Sequence, residues 1–172
     1  MRNIKMSRRR ESKTDYKARI TMLKSNFPRI IFRKTNRYII GAYVKSKESQ
    51  DSVTLIVTSK ELEKYGWQGY SIKNLPACYL TGLLLGKKII NRKEDKTVIV
   101  DIGLLRNLSK SRIYAFIKGL KDAGVDVKCD EKMFPDEERI KGGHINESMP
   151  KMFEKVKKDL DSHFKTINGS KI

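Results

Sequence analysis

Arg8-Arg9-Arg10, followed by Lys13, Lys17 and Arg19, place six cationic side chains within twelve residues. Cations at this density neutralise phosphates and release the counterions condensed on a polyanion, so binding is strong and weakens with salt. A short charge run is often only a solvated helix face, but this one belongs to a wider asymmetry. Residues 1–45 hold 14 basic and 2 acidic side chains, a net of +12, out of +18 for the whole chain (38 basic, 20 acidic). The remaining 127 residues carry only +6. A head so positive attracts a polyanion, and the rest reads as an ordinary folded domain.

A second basic group follows at once. Arg33, Lys34 and Arg37 fall near a polar break between two stretches rich in β-branched and aromatic residues, and there they are positioned to reach phosphates. Asn36 adds a donor and acceptor for sugar or base edges. Tyr38 offers a ring for stacking on an unpaired base, although a strand tyrosine more often packs across the sheet. Trp67, in Gly66-Trp67-Gln68-Gly69, is the only tryptophan, and loop packing and nucleic-acid contact weigh equally for it.

Catalytic chemistry finds less support. Asp101 ends an apolar run, where a metal-binding carboxylate sits in a ribonuclease H-like fold, but two-metal chemistry needs three or four converging carboxylates. Glu61, Asp122 and Asp126 are the available partners, and none is convincingly spaced. Asp101 is therefore expected to cap a turn or pair with an arginine. His144 and His163 lack a nucleophile and a cysteine partner, and Cys78 and Cys129 stand 51 residues apart, neither a disulfide framework nor a zinc site. No catalytic residue, metal or cofactor is expected.

The elements that must carry the basic groups follow from periodicity. Residues 1–11 read as a disordered arm. Ser12 or Thr14 then caps a helix with Tyr16, Ile20 and Leu23 on one side, stopped by Asn26 and Pro28. Residues 29–34 and 37–44 read as an antiparallel hairpin, 46–52 as a polar loop and 53–57 as a third strand. A short turn or helix spans 60–65 and a long helix about 75–90, with Pro76 in its first turn. Gly82 and Gly86 are expected to bring that helix close to the sheet. Residues 97–102 read as a strand buried on both faces, 112–123 as a helix closed by Gly124, and 125–129 as a last short strand. Residues 148–165 read as a peripheral helix. The fold class is α/β: a mixed sheet with an N-terminal antiparallel meander, helices packed on it, and a basic N-terminal arm and helix.

At 172 residues, with 38% hydrophobic and 34% charged side chains, the chain suits a modest core under an extensive polar surface. It divides into a basic head (1–26), an α/β core (27–130) and an acidic loop with a C-terminal helix (131–172). No apolar run is long enough for a membrane span and no secretory h-region opens the chain. A reducing, cytoplasmic setting is expected, with no membrane and no small-molecule substrate as partner.

Several stretches in order carry a resemblance. They are Arg8-Arg9-Arg10 with Lys13-Thr14-Asp15-Tyr16, PRIIFRKTNRYIIGAYV (28–44), KYGWQGY (64–70), LPACYLTGLLLGKK (75–88), VDIGL (100–104) and FPDEERIKGGHI (134–145). Over about residues 7–145 the chain resembles the archaeal form of the large-subunit ribosomal protein eighteen family, related to eukaryotic ribosomal protein L five. The resemblance implies a non-enzymatic protein that binds 5S rRNA and attaches it to the 23S-type large-subunit rRNA in the central protuberance, beside neighbouring ribosomal proteins. It also implies a sheet distantly like ribonuclease H without the catalytic carboxylates. Carried onto this chain, the RNA contacts are Arg8, Arg9, Arg10, Lys13, Lys17, Arg33, Lys34, Asn36 and Arg37; charge and placement add Arg19, Tyr38 and Trp67. The chain departs from the family after VDIGL, where a Pro-Thr, Gly-containing loop is usual and Arg106-Asn107-Leu108-Ser109-Lys110-Ser111-Arg112 stands instead. The rival function is a metal-dependent RNA-processing enzyme of ribonuclease H-like fold.

Overall fold

The computed structural model describes residues 7–48 and 50–169, with the backbone alone for 165–169. In chain order the elements are α1 (Ser7–Arg10), α2 (Tyr16–Lys24), β1 (Arg29–Lys34), β2 (Ile39–Lys47), β3 (Gln50–Thr58) and a 3₁₀ helix over Ser59–Tyr65. Then come α3 (Leu75–Asn91), β4 (Ile99–Asp101), α4 (Arg112–Asp122), a 3₁₀ turn at Glu131–Met133, α5 (Glu137–Lys141) and α6 (Met149–Gly169). The sheet order is β3-β2-β1-β4, antiparallel except for the parallel β1–β4 pair. This is the expected mixed sheet with its N-terminal meander.

The first hairpin closes from Lys34 opposite Ile39. Thr35 organises its turn: the hydroxyl donates to the Tyr38 carbonyl at 2.7 Å and accepts from the Tyr38 amide at 3.0 Å. Residues 46–52, expected as a polar loop, instead extend the second hairpin to Lys47 opposite Gln50. Strand pairing there is made by backbone groups, and polar side chains suit an edge that faces water, so no apolar alternation marks it.

The core lies between the sheet and two helices. Asn74 caps α3 by accepting from the Ala77 amide at 2.9 Å, and Pro76 occupies the second helical position. Nearly every α3 residue is buried, because β2 and β3 lie on one side and α4 on another. Burial pushes the Cys78 thiol up to about 12, which leaves it an inert packing group. Gly82 and Gly86 do not face the sheet as expected; they face α4. A Cβ on Gly82 would stand 2.1 Å from the Phe116 carbonyl oxygen, and one on Gly119 would stand 2.2 Å from that of Tyr79. The two helices therefore touch backbone to backbone, and glycine is required on both sides of the crossing.

Other expectations change in the same way. The run at 97–102 contributes only the three-residue β4, an edge strand whose Ile99 and Val100 are half-buried rather than covered on both faces. The strand expected at 125–129 supplies a single parallel bridge, Thr97 to Asp126, so among the described residues no further strand pairs along β4. The C-terminal helix is not peripheral: Met149, Phe153, Val156, Leu160 and Phe164 join the same hydrophobic core as α3. Trp67 is also in that core at 1% exposure, so the structure replaces its expected RNA contact with packing under the loop.

Gly82→Ala and Gly119→Ala should each destabilise the fold by about 1–3 kcal/mol or more, as overpacking of rigid backbone does. Urea unfolding measures this, and a loss below a few tenths of a kcal/mol would contradict the described crossing.

Candidate nucleic-acid interface

The basic head is built from two short helices. α1 is one turn carrying Arg8, Arg9 and Arg10, all exposed, so part of the expected disordered arm is helical; residues 1–6 lie outside the described residues. α2 starts later than expected because Asp15, and not Ser12 or Thr14, is its cap, with the carboxylate accepting from the Lys17 and Ala18 amides at 2.9 and 3.1 Å. Arg8 Nε donates to Thr14 Oγ1 at 2.9 Å and joins the two helices.

No residue of α2 is buried, and Ile20 is 52% exposed. The apolar side expected of Tyr16, Ile20 and Leu23 does not hold the helix by a hydrophobic face. An ion chain does. Arg19 pairs with Asp51 at 2.6 Å, and the same carboxylate takes Arg29 at 2.6 Å and the Ser46 hydroxyl at 2.7 Å. Arg29, at 1% exposure, lies 3.7 Å from Asp101, which binds Arg33 at 3.1 Å. Three arginines and two aspartates thus alternate from α2 through β3 and β1 to β4.

Burial raises the Asp51 pKa, but the Ser46 and Arg29 hydrogen bonds and the charges of Arg29 and Arg19 more than offset it, so the carboxyl titrates below its ordinary value. At Asp101 the oxygen also accepts from the Gly103 amide at 2.8 Å. Asp101 therefore both pairs with arginine and caps a turn, as its sequence position suggests. The other carboxylates considered for metal chemistry are engaged elsewhere: Glu61 caps the 3₁₀ helix and pairs with Lys88, and Asp122 accepts from the Tyr79 hydroxyl. Among the described residues no group of His, Cys, Asp and Glu could hold a metal ion.

Between this head and the β1–β4 edge lies a cleft of about 770 Å³. It gathers Arg8, Lys13, Arg19, Arg33 and Lys34, with Tyr16 and Gly103 on its walls. These cations are not equally free: the Arg19 and Arg33 side chains are 38% and 41% exposed but already paired. Arg19 and Arg33 are held inside the ion chain, Arg33 also donating to the Phe32 and Asp101 carbonyls at 2.8 Å; they position the cleft. Lys13 meets Glu11 at 2.6 Å with both side chains over half exposed, an ion pair too weak to withhold it from a phosphate. Arg9, Arg10, Lys17 and Lys34 are exposed and make no side-chain hydrogen bond or ion pair among the described residues.

Asn36, Arg37 and Tyr38 are not part of the cleft; they sit at the hairpin tip. Asn36 and Arg37 are exposed, and Lys73 donates to the Asn36 carbonyl at 2.8 Å. Tyr38 is half-buried, with Lys60 Nζ 4.7 Å from its ring centroid, so one ring face is already taken by a cation. Sequence reasoning missed Lys60 and Lys73 at this tip, and it missed Arg29 and Asp51. A lone arginine opening an apolar strand was the one signal for Arg29; its partner becomes visible only once Ser46 is placed opposite Asp51.

The family comprising ribosomal large subunit proteins 60S L5 and 50S L18 matches residues 2–98. The large ribosomal subunit protein uL18 of Korarchaeum cryptofilum is 49% identical over 143 residues, covering 83% of this chain and 72% of its own. That of Methanoculleus marisnigri is 44% identical over 147 residues (86% and 83%), and that of Methanococcus maripaludis 40% over 166 residues (96% and 82%). The chain belongs to the L5e/L18 ribosomal protein family. This is a structural, non-enzymatic family of the large ribosomal subunit, which sets aside the rival reading as an RNA-processing enzyme. No helix among the described residues is long and apolar enough to cross a membrane.

Because the Asp51 pKa is lowered on folding, its contribution to stability is complete above the ordinary carboxylate value of 3.8 and is lost as pH falls through the lower folded value. The stability difference between wild type and Asp51→Asn, from urea unfolding, should therefore be flat from neutrality to that value and shrink below it. A difference that grows on acidification would contradict the ion chain.

Proposed function

We propose that this chain binds 5S rRNA and attaches it to large-subunit rRNA in the central protuberance of the ribosome. Membership of the L5e/L18 family supports the reading, and the observation that carries it is the cationic head mounted over the cleft. Twelve of the chain's eighteen excess positive charges lie in residues 1–45, and the cleft gathers Arg8, Lys13, Arg19, Arg33 and Lys34 among them. The capture step is electrostatic: Arg8, Arg9, Arg10, Lys13 and Lys17 replace condensed counterions on the RNA backbone. Lys34 continues the contact along the β1 end, and Asn36 and Arg37 fix orientation at the hairpin tip through phosphate and sugar. Tyr38 adds its uncovered ring face to an unpaired base.

The sheet fits a ribonuclease H-like topology used as a scaffold. Three antiparallel strands followed by a parallel β4 beside β1 support that reading. The position of a catalytic carboxylate is then held by Asp101, whose oxygens go to two arginines and an amide. Residues 1–26 act as the RNA-binding head, 27–130 as the scaffold, and 131–172 as the part that packs against α3 and meets neighbouring ribosomal proteins.

Replacing Arg8, Arg9 and Arg10 with alanine should weaken 5S rRNA binding in filter assays. The plot of log affinity against log salt should become shallower by about 2, at roughly 0.7–0.9 per lost phosphate contact. Unchanged affinity and slope would remove the head from the mechanism.

A further inference from the structure

A second groove, of about 510 Å³, opens between the end of β1, the first turns of α3 and α4, the 105–111 loop and residues 139–145. Its size falls in the range of small-ligand sites, roughly 300–1,000 Å³. Phe32, Leu75 and Ile113 form its buried base, and Leu108 and Ile145 stand on its walls at 59% and 44% exposure. The rim carries Lys34, Arg106, Arg112 and Arg139, all exposed, and none makes a side-chain hydrogen bond or ion pair among the described residues. Lys110 differs, being tied to Asp136 at 3.0 Å. No acidic residue lines the groove. The buried Ser111 hydroxyl at its edge has no hydrogen-bond partner among the described residues.

We propose that this groove is a separate RNA site that takes one unpaired nucleotide, its base on the apolar floor and its flanking phosphates on Lys34, Arg106, Arg112 and Arg139. The inference rests on the chain being an rRNA-binding protein and names a second segment that it holds. Two observations favour RNA over another occupant. Four unpaired cations around an apolar floor with no acid suit a ligand that alternates a flat, weakly polar group with anions. The groove is also continuous with the cleft under the basic head, since Lys34 and Leu105 line both. A backbone leaving the cleft meets Lys34, then Arg106. A duplex keeps its bases stacked inside, which makes an unpaired nucleotide the fitting form.

The test uses the full chain and a hexauridylate carrying one 4-thiouridine, with 5S rRNA measured in parallel. Photocrosslinks from the hexamer are expected at 105–112 or 139–145. Arg106→Ala/Arg139→Ala should weaken hexamer binding about tenfold and make its salt slope shallower by about 1.4, at about 0.7 per single-strand phosphate. In the Arg8/Arg9/Arg10→Ala variant the hexamer crosslinks at 105–112 or 139–145 should persist while 5S binding weakens. Hexamer crosslinks confined to the head, or an unchanged affinity in the double variant, would overturn the site. So would absence of hexamer binding at low salt, or displacement of the hexamer by a leucine-containing hexaglutamate peptide at equal concentration, which would assign the groove to an acidic protein. If wild type fails to bind 5S rRNA while the hexamer still crosslinks in the groove, the proposed function falls and the groove stands.

Discussion

The guanidinium of Arg29 is withdrawn from water, and the head of the molecule depends on how that charge is compensated. A buried charge is tolerated only with partners at close range. Arg29 has Asp51 at 2.6 Å, Ser46 at 3.0 Å and Asp101 at 3.7 Å. Each aspartate then takes a second arginine, Arg19 from α2 at Asp51 and Arg33 from β1 at Asp101. This chain ties α2 to the sheet with no help from a buried apolar face. Removing one member of a buried pair commonly costs about 3–5 kcal/mol, because the other is left uncompensated. The orientation of the basic head is thus set by charges paired within the protein.

The division between internally paired and unpaired cations explains the surface. Arg19, Arg29 and Arg33 are engaged internally, while Arg9, Arg10, Lys17, Lys34 and Arg37 point outward without an ion-pair partner among the described residues. The first group makes the second rigid relative to the sheet. A phosphate contact from a placed cation loses less conformational freedom on binding than one from a mobile tail. The sheet contributes shape in the same manner: the Thr35 turn holds the hairpin tip, and Gly103, with a positive φ of 64°, lets the chain pass under Arg33.

Much of this was legible in the residues and some was not. Charge counting found the head, β-branched stretches found the first hairpin, and the position of Asp101 after an apolar run predicted its cap and arginine pair. Three things escaped for physical reasons. Which arginines would be held internally depended on Asp51, whose strand is polar and carries no apolar alternation. The partner of Gly82 depended on whether α3 meets the sheet or α4 at that turn, and a helix buried all round has no unique face to read. Trp67 and the C-terminal helix were assigned by local pattern, yet their burial is set by contacts between residues distant in sequence. The loop at 105–111 was legible only as a departure; its four-cation rim forms across β1, α4 and residue 139.

The central claim is that Asp51 aims the basic head without touching RNA, and charge arithmetic provides a clean contrast. Asp51→Asn removes a negative charge and raises the net charge of the chain. If capture depended on charge alone, the variant would bind 5S rRNA more tightly. The 5S dissociation constant of Asp51→Asn against wild type, measured at matched salt, is therefore the most direct test. Weaker binding is the predicted result, and equal or tighter binding would contradict the account.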